Sequence, residues 1–210
     1  MGVLEELSGP VVLLGAGKMG GAMLDGWLAL GLPPGSAVIR DPHLPPEAAA
    51  ALAARGVLVN PPDDAVARPA VVLLAVKPQV APQALPAIAP LVGPGTLVVS
   101  VMAGRTLEFL AAPFAPGTAI VRAIPNTPAA IGQGVSVAVA NAAARDADRA
   151  LASALLGAIG IVEWVDREDL MDAATAVSGS GPAYAFLLAE VMAQAGGAAG
   201  PPAPASPPPR

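Results

Sequence analysis

A glycine-rich segment near the N-terminus has the residue types and spacing that hold a pyrophosphate. Gly15, Gly17 and Gly20 follow an apolar run at residues 11–14 and open a helical stretch. In this pattern the first glycine permits a tight turn, the second lets the backbone approach the phosphates, and the third lets the helix pack against the strand. The helix N-terminus then offers free N–H groups and a positive dipole end to the anion. The segment therefore predicts a dinucleotide site; the alternative is a strand–helix turn with no ligand.

Two charged residues at the end of the next predicted strand bear on the choice of nucleotide. Asp41 lies 21 positions after Gly20, where a carboxylate accepts a hydrogen bond from the ribose 2′-hydroxyl of NAD. The adjacent Arg40 could instead pair with the 2′-phosphate of NADP. A third interpretation treats both residues as solvated loop charges. The sequence predicts NAD or NADP as the cofactor and leaves the choice between them open.

The remaining reactive side chains exclude several other kinds of chemistry. The 210-residue chain has no cysteine, so disulfide scaffolds, cysteine zinc sites and thiol catalysis are excluded. Its one histidine, His43, has no partner nearby in sequence and is expected in a surface loop, and no metal site is predicted. Eleven scattered Lys and Arg residues and a net charge of −5 argue against nucleic-acid binding.

Short apolar runs that alternate with helical stretches must position the glycine segment. Such alternation predicts an α/β fold with a doubly wound, mostly parallel sheet. Pro86 lies inside the helix expected after Lys77 and should shorten or kink it. The helix expected at residues 146–159 has Gly160 at its end. The predicted strands are residues 11–14, 37–39, 57–59, 71–76, 96–101, 119–124 and, less clearly, 135–140.

The pattern changes after residue 164, which divides the chain into three predicted parts. Residues 1–164 form the dinucleotide-binding domain. Residues 165–195 are helical in composition and read as the first part of an all-α second domain, with Asp166 as a helix N-cap. Residues 196–210 are rich in proline and alanine and are expected to form a disordered tail.

The high hydropathy of the chain raises the question of a membrane-spanning segment. The longest uncharged stretch, residues 78–104, contains five prolines before residue 95. An interior proline removes a helix hydrogen bond that lipid cannot replace, so no continuous span is expected there. The N-terminus has two acidic residues and no basic one before residue 10, which is unlike a signal peptide. A cytoplasmic protein without a membrane segment is predicted.

Five segments, in order and spacing, resemble the pyrroline-5-carboxylate reductase family, and the resemblance covers about residues 11–195. The asparagine–threonine–proline and serine–glycine segments are the most particular of them. The five segments are Gly15-Ala16-Gly17-Lys18-Met19-Gly20, Ala75-Val76-Lys77-Pro78, Ala103-Gly104, Arg122-Ala123-Ile124-Pro125-Asn126-Thr127-Pro128 and Ser178-Gly179-Ser180-Gly181-Pro182-Ala183-Tyr184.

The resemblance implies a Rossmann-type nucleotide domain and hydride transfer from NADH or NADPH to the C=N carbon of 1-pyrroline-5-carboxylate, which gives L-proline. It implies that Ser180 is a hydrogen-bond donor near the substrate and the catalytic residue. The cofactor-binding residues that it implies, together with Arg40 and Asp41, are Gly15, Ala16, Gly17, Lys18, Met19, Gly20, Val76, Lys77, Pro78, Ala103, Gly104, Asn126, Thr127 and Pro128.

The family also has features that this sequence does not show. Its helical domain continues with a Ser-Pro-Gly-Gly-Thr-Thr segment that binds the substrate carboxylate, and that domain forms the homo-oligomer. Neither the segment nor most of that domain occurs here, so we expect a C-terminally truncated or frameshifted member with impaired activity. Two alternatives stay open: a non-catalytic dinucleotide-binding fragment, and another small-substrate dehydrogenase. A hydroxyacid dehydrogenase needs a lysine on the helical domain, and no lysine follows Lys77.

Overall fold

The computed structural model describes Leu4 and residues 7–200 of the chain. The strands are β1 (Val11–Leu14), β2 (Ala37–Arg40), β3 (Leu58–Val59), β4 (Val71–Leu74), β5 (Leu97–Ser100), β6 (Ala119–Ile124), β7 (Gly134–Ala140) and β8 (Gly160–Trp164). They form one sheet whose order is β3-β2-β1-β4-β5-β6-β7-β8. Strands β1 to β6 are parallel to one another, β7 is antiparallel to β6, and β8 is parallel to β7.

Helices cover both faces of this sheet, because alternate residues of each strand point to opposite faces. The helices are α1 (Lys18–Ala29), α2 (Pro46–Ala54), α3 (Ala81–Ile88), α4 (Leu107–Ala111), α5 (Asp146–Gly157), α6 (Met171–Ala174) and α7 (Gly181–Ala199). Val11 and Leu13 of β1 belong to the core under α1 and α5, whereas Val12 and Leu14 belong to the core under α3 and α4. The predicted doubly wound, mostly parallel α/β sheet is confirmed.

The topology creates one edge at which a ligand can lie. The chain runs outward from β1 to β2 and β3 and then returns to place β4 on the other side of β1. Leu14 is in register with Arg40 on one side and Leu74 on the other, so the carboxyl ends of these three strands are level. In open α/β sheets, ligands bind outside the carboxyl ends of the strands at such a switch point.

One helix agrees with the sequence-based expectation, and another ends earlier than expected. The helix after Lys77 begins at Ala81, contains Pro86 and ends at Ile88 before a 3-10 turn, which agrees with the expected shortening. Helix α5 ends at Gly157, two residues early, because the carbonyl of Ile159 accepts a hydrogen bond from the N–H of Gly134 at 2.9 Å and so enters the sheet.

The segment after β8 also departs from its predicted details. Asp166 does not cap a helix: a 3-10 turn begins at Glu168, whose carboxylate is held by Arg122 of β6. Helix α7 continues to Ala199, so the expectation of a tail from residue 196 is wrong for residues 196–199. The rest of that predicted tail, residues 201–210, lies outside the described residues.

Candidate functional site

The glycine turn after β1 has the geometry that its sequence predicts. Gly15 has a φ of +93°, in the left-handed region that favours glycine. A Cβ on Gly20 would lie 2.2 Å from the carbonyl oxygen of Gly15, so only glycine lets α1 begin this close to β1. A Cβ on Gly17 would meet nothing within 4 Å and would project into open space. The turn at residues 15–20 is therefore open on the side of Gly17, and we refer to this open turn as the nucleotide cradle.

The first turn of α1 presents its N–H groups to that cradle. Gly17 is the N-cap and has an extended backbone, and no side chain accepts a hydrogen bond as a cap. The first turn has no acidic residue. Lys18 is exposed at the start of the helix, and Met19 is half-buried against the core. A pyrophosphate fits this position, because uncapped N–H groups and a helix dipole both favour an anion.

Asp41 and Arg40 lie beside the glycine turn but use their side chains differently. The carboxylate of Asp41 accepts a hydrogen bond from the N–H of Ala16 at 2.9 Å and another from the N–H of His43 at 3.0 Å. The Arg40 guanidinium donates to the carbonyl of Pro61 and to Asp63, the latter at 2.6 Å. Asp41 therefore stiffens the turn, while Arg40 is held by the loop after β3.

The loops after β4 and β5 complete the far side of the cradle. A Cβ on Gly15 would meet the side chain of Val76 at 3.0 Å, so Val76 lies directly against the glycine turn. Pro78 is half-buried, and Lys77, Ala103 and Gly104 are exposed at the same edge.

Arg105 links these two loops, although sequence analysis did not assign it a role. Its guanidinium donates to the carbonyl of Pro78 at 2.6 Å and stacks 4.5 Å from the ring centroid of Phe109. The loop after β4 and the loop after β5 are therefore tied together by one side chain. In the sequence, this role was indicated by a basic residue that directly follows the Ala103–Gly104 pair.

Asn126 joins the nucleotide domain to the segment that follows β8. Its amide oxygen accepts a hydrogen bond from the N–H of Val135 at 2.8 Å, and its amide nitrogen donates to the carbonyl of Ser178 at 3.2 Å. Thr127 is exposed and Pro128 half-buried in the 3-10 turn that follows, which packs beside α1. The structure thus brings the asparagine–threonine–proline segment next to the serine–glycine segment.

Ser180 follows a π-helical turn at Thr175–Gly179. The N–H of Ser180 donates to the carbonyl of Thr175 at 2.9 Å, which closes that turn. A Cβ on Gly179 would come within 3.8 Å of Ile124, so the turn lies against the carboxyl end of β6. Single π turns occur often at functional sites. Ser180 therefore stands half-buried at the edge that carries Asn126.

Arg122 and Glu168 were also missed by sequence reasoning. Their side chains form an ion pair at 2.7 Å, and Arg122 is only 3% exposed. The signal for Arg122 was a charged residue in the middle of an apolar strand. Nothing in the sequence indicated its partner, which lies 46 positions away.

In the part of the chain that the structure describes, no group of three or more His, Cys, Asp or Glu residues could hold a metal ion. None of the helices described there combines the length and the apolar character that crossing a membrane requires.

Comparison with protein families gives two matches. The model described as "NADP oxidoreductase coenzyme F420-dependent" matches residues 10–104, which span β1 to the loop after β5. The model described as "Pyrroline-5-carboxylate reductase dimerisation" matches residues 168–206. The second match extends past residue 195, where the sequence analysis placed the end of the resemblance.

Individual relatives agree with these matches. The chain is 40% identical to the pyrroline-5-carboxylate reductase of Pseudomonas aeruginosa over 89% of this chain and 68% of that protein. The solved pyrroline-5-carboxylate reductase of Coxiella burnetii superposes with a TM-score of 0.82 at 29% identity, covering 90% of this chain and 70% of the other. The Plasmodium falciparum pyrroline carboxylate reductase with NADP bound gives 0.77 at 26% identity, covering 92% and 71%. The chain belongs to the pyrroline-5-carboxylate reductase family.

Proposed function

We propose that this protein reduces 1-pyrroline-5-carboxylate to L-proline with NADH or NADPH, as the last step of proline biosynthesis in the cytoplasm. The observation that carries the proposal is that four segments lie at one edge of the sheet. The glycine turn lies beside Val76, and Asn126 at the end of β6 donates to the carbonyl of Ser178 in the serine–glycine turn. A nucleotide cradle and a polar turn thus share one edge.

The residues of the cradle fit a nicotinamide dinucleotide. The N–H groups at the start of α1 and the open position at Gly17 would hold the pyrophosphate. Val76, Lys77 and Pro78 would contact the ribose and nicotinamide from the loop after β4, with Ala103 and Gly104 beside them. Asn126, Thr127 and Pro128 would contact the nicotinamide from the loop after β6. When bound, the reduced cofactor supplies the hydride for the C=N carbon.

Ser180 is proposed as the residue that contacts the substrate. An imine is more electrophilic when it is protonated, and the substrate carboxylate needs hydrogen-bond donors. The hydroxyl group of Ser180 can donate a hydrogen bond to either group from the end of the π turn. Asn126 orients this turn through the carbonyl of Ser178, since its own amide oxygen is held by β7.

The direct test is a reductase assay on the full chain. We expect NADPH to be oxidised only when 1-pyrroline-5-carboxylate is present, with L-proline formed in equal amount. Ser180→Ala should lower kcat about a hundredfold, the low end of what one positioned proton donor contributes. Calorimetry should give the same NADPH affinity for the variant and the wild type. NADPH binding by the wild type without proline formation would support a non-catalytic binding protein instead.

We also propose that the protein acts as a homo-oligomer. Every residue of α7 from Ala183 to Ala199 is exposed, although the helix carries large apolar side chains. Soluble proteins rarely leave a contiguous apolar surface of this kind without a partner. The dimerisation model matches the same region, residues 168–206. A second copy of this chain is therefore the proposed partner of α7.

A further inference from the structure

A partly buried ion pair connects the nucleotide domain to the segment that carries the serine–glycine turn. Arg122 lies in the middle of β6, and its Nη1 is 2.7 Å from Oε1 of Glu168. The same Oε1 atom accepts a hydrogen bond from the N–H of Leu107, at the start of α4, also at 2.7 Å. One carboxylate oxygen therefore joins β6, α4 and the segment after β8. The Arg122 side chain is 4% exposed and the Glu168 side chain 29%, so loss of Glu168 would leave the buried guanidinium without its charge partner.

The segment from Glu168 to Ser180 is attached to β6 at two points. Arg122 holds its first residue, and Asn126, four residues further along the chain, holds Ser178 near its end. Between these points Met171 is fully buried against Ile124, Val137 and Val139. The position of the π turn is thus set from both sides.

The π turn makes the position of Ser180 sensitive to how the segment is attached to β6. It contains one more residue per turn than an α-helix, and the hydroxyl group of Thr175 donates to the carbonyl of Met171 at 2.7 Å at its start. If the segment slides along β6, the Ser178 carbonyl leaves the Asn126 amide and the hydroxyl of Ser180 moves with it. A displacement of about 1 Å of a positioned group can cost about a hundredfold in rate.

We propose that Arg122 and Glu168 are positioning residues for the substrate-binding turn, acting through Met171 and the π turn on Ser178 and Ser180. The inference rests on the proposed reductase function for its kinetic consequence. It assigns no contact with the cofactor to either residue. The nucleotide cradle is built from β1, β2 and the loops after β4, β5 and β6, and neither side chain of the ion pair hydrogen-bonds to a residue assigned to that cradle.

The kinetic test compares variants that remove the pair with variants that preserve its packing. Arg122→Met combined with Glu168→Gln leaves no buried charge and keeps an acceptor for the N–H of Leu107, so this chain should fold. We expect its kcat/KM for 1-pyrroline-5-carboxylate to fall about tenfold or more, whereas its Kd for NADPH stays within about twofold. Glu168→Asp should restore part of the loss by retaining the charge.

The control is a second ion pair in the same segment. Arg167 and Asp169 pair at 2.9 Å, and both side chains are about two-thirds exposed. Arg167→Ala should leave both kcat/KM and the Kd for NADPH unchanged, because an exposed pair of this kind contributes little. A fall in NADPH affinity equal to the fall in kcat/KM would overturn the proposal, because it would indicate a general structural role.

A measurement that needs no activity separates this inference from the proposed function. Hydrogen–deuterium exchange of the double variant should speed up about tenfold or more at residues 171–180 and stay unchanged in α1. Equal protection of residues 171–180 in variant and wild type would overturn the proposal. If the wild type forms no proline, the proposed function fails, and this exchange experiment alone then decides whether Arg122 and Glu168 position the turn.

Discussion

At the scale of single residues, Gly17 and Gly20 have different roles in the turn after β1. Gly20 lets α1 approach β1, since a Cβ there would lie 2.2 Å from a carbonyl oxygen. Gly17 has no packing role, because nothing lies within 4 Å of the position of its missing Cβ. The glycine at position 17 is therefore explained by what the turn binds rather than by how it folds.

Gly17→Ala tests that division directly. We expect the Kd for NADPH to rise about tenfold, equivalent to about 1.4 kcal/mol, because the added methyl group projects towards the expected pyrophosphate. The melting temperature should stay close to that of the wild type. Gly21→Ala is the matched control, because a Cβ there would meet only the carbonyl oxygen of Ala16, at 3.9 Å. Unchanged NADPH affinity in calorimetry of Gly17→Ala would contradict the assignment.

A second residue-scale feature concerns Arg40. Its guanidinium is paired with the exposed Asp63 at 2.6 Å. If Arg40 contacts a 2′-phosphate, the carboxylate of Asp63 would oppose that attraction. We therefore expect the choice between NAD and NADP to depend on this pair as well as on Asp41.

Asp63→Asn should therefore shift the cofactor preference towards NADPH. Two unit charges about 4 Å apart in water interact by about 1 kcal/mol, and Asp63 is solvent-exposed, so removing its charge should raise the ratio of Kd for NADH to Kd for NADPH about fivefold. Asp64→Asn makes the same change of charge one residue along the chain and is the control. An equal shift in both variants would mean that net charge, not the pairing with Arg40, determines the preference.

At the scale of secondary structure, α3 shows how proline limits a helix. Pro82 is the second residue of α3, where an N–H group needs no partner within the helix. Pro86 lies in the interior, where it removes the hydrogen bond to the carbonyl of residue 82. The helix ends two residues later at Ile88.

Pro86→Ala should raise the free energy of unfolding by about 1 to 2 kcal/mol. A proline in a helix interior destabilises the folded state by about 3 kcal/mol, but its rigidity also lowers the entropy of the unfolded chain, which offsets part of that destabilisation. Urea unfolding followed by circular dichroism measures the change. Pro82→Ala should give no increase, because alanine there gains no hydrogen bond. A destabilised Pro86→Ala variant would show that packing of the proline ring outweighs the lost hydrogen bond.

At the scale of the whole molecule, α7 is the part of the described chain that packs least. Tyr184, Leu188 and Val191 lie along one side of the helix, and each is more than half exposed. Glu190 and Gln194 lie on another side and form a hydrogen bond at 3.2 Å. Phe186, Leu187 and Met192 are exposed as well, so apolar side chains cover most of the helix, and Glu190 and Gln194 form a narrow polar side.

Leu188→Glu should weaken self-association. A charge in an apolar interface loses its hydration without gaining a partner, so the variant should have a lower mean mass than the wild type at the same concentration. Light scattering after gel filtration measures that mass. Gln194→Glu adds the same charge on the polar side and should leave it unchanged. A wild type that stays monomeric over the whole concentration range would contradict the proposed homo-oligomer.

Much of the fold followed from local patterns in the sequence. The strand at residues 11–14 and the one at residues 119–124 have the predicted bounds, because buried parallel strands are continuous apolar runs. The helix end at Gly157 and the absent cap at Asp166 were not predictable. In both places a hydrogen bond or an ion pair to a distant element, Gly134 or Arg122, overrides the local preference.

The sequence by itself determined the sheet, the glycine turn and the family, because each depends on residue types at short and regular spacings. Only the tertiary structure decided which side chains meet. Three such contacts join residues that are far apart in the sequence. The Asp41 carboxylate accepts a hydrogen bond from the N–H of Ala16, 25 positions away, and the Asn126 amide donates to the Ser178 carbonyl, 52 positions away. Arg122 pairs with Glu168, 46 positions away. Such pairs depend on how the strands are ordered and on which way each side chain points. No local pattern in a single sequence records either property.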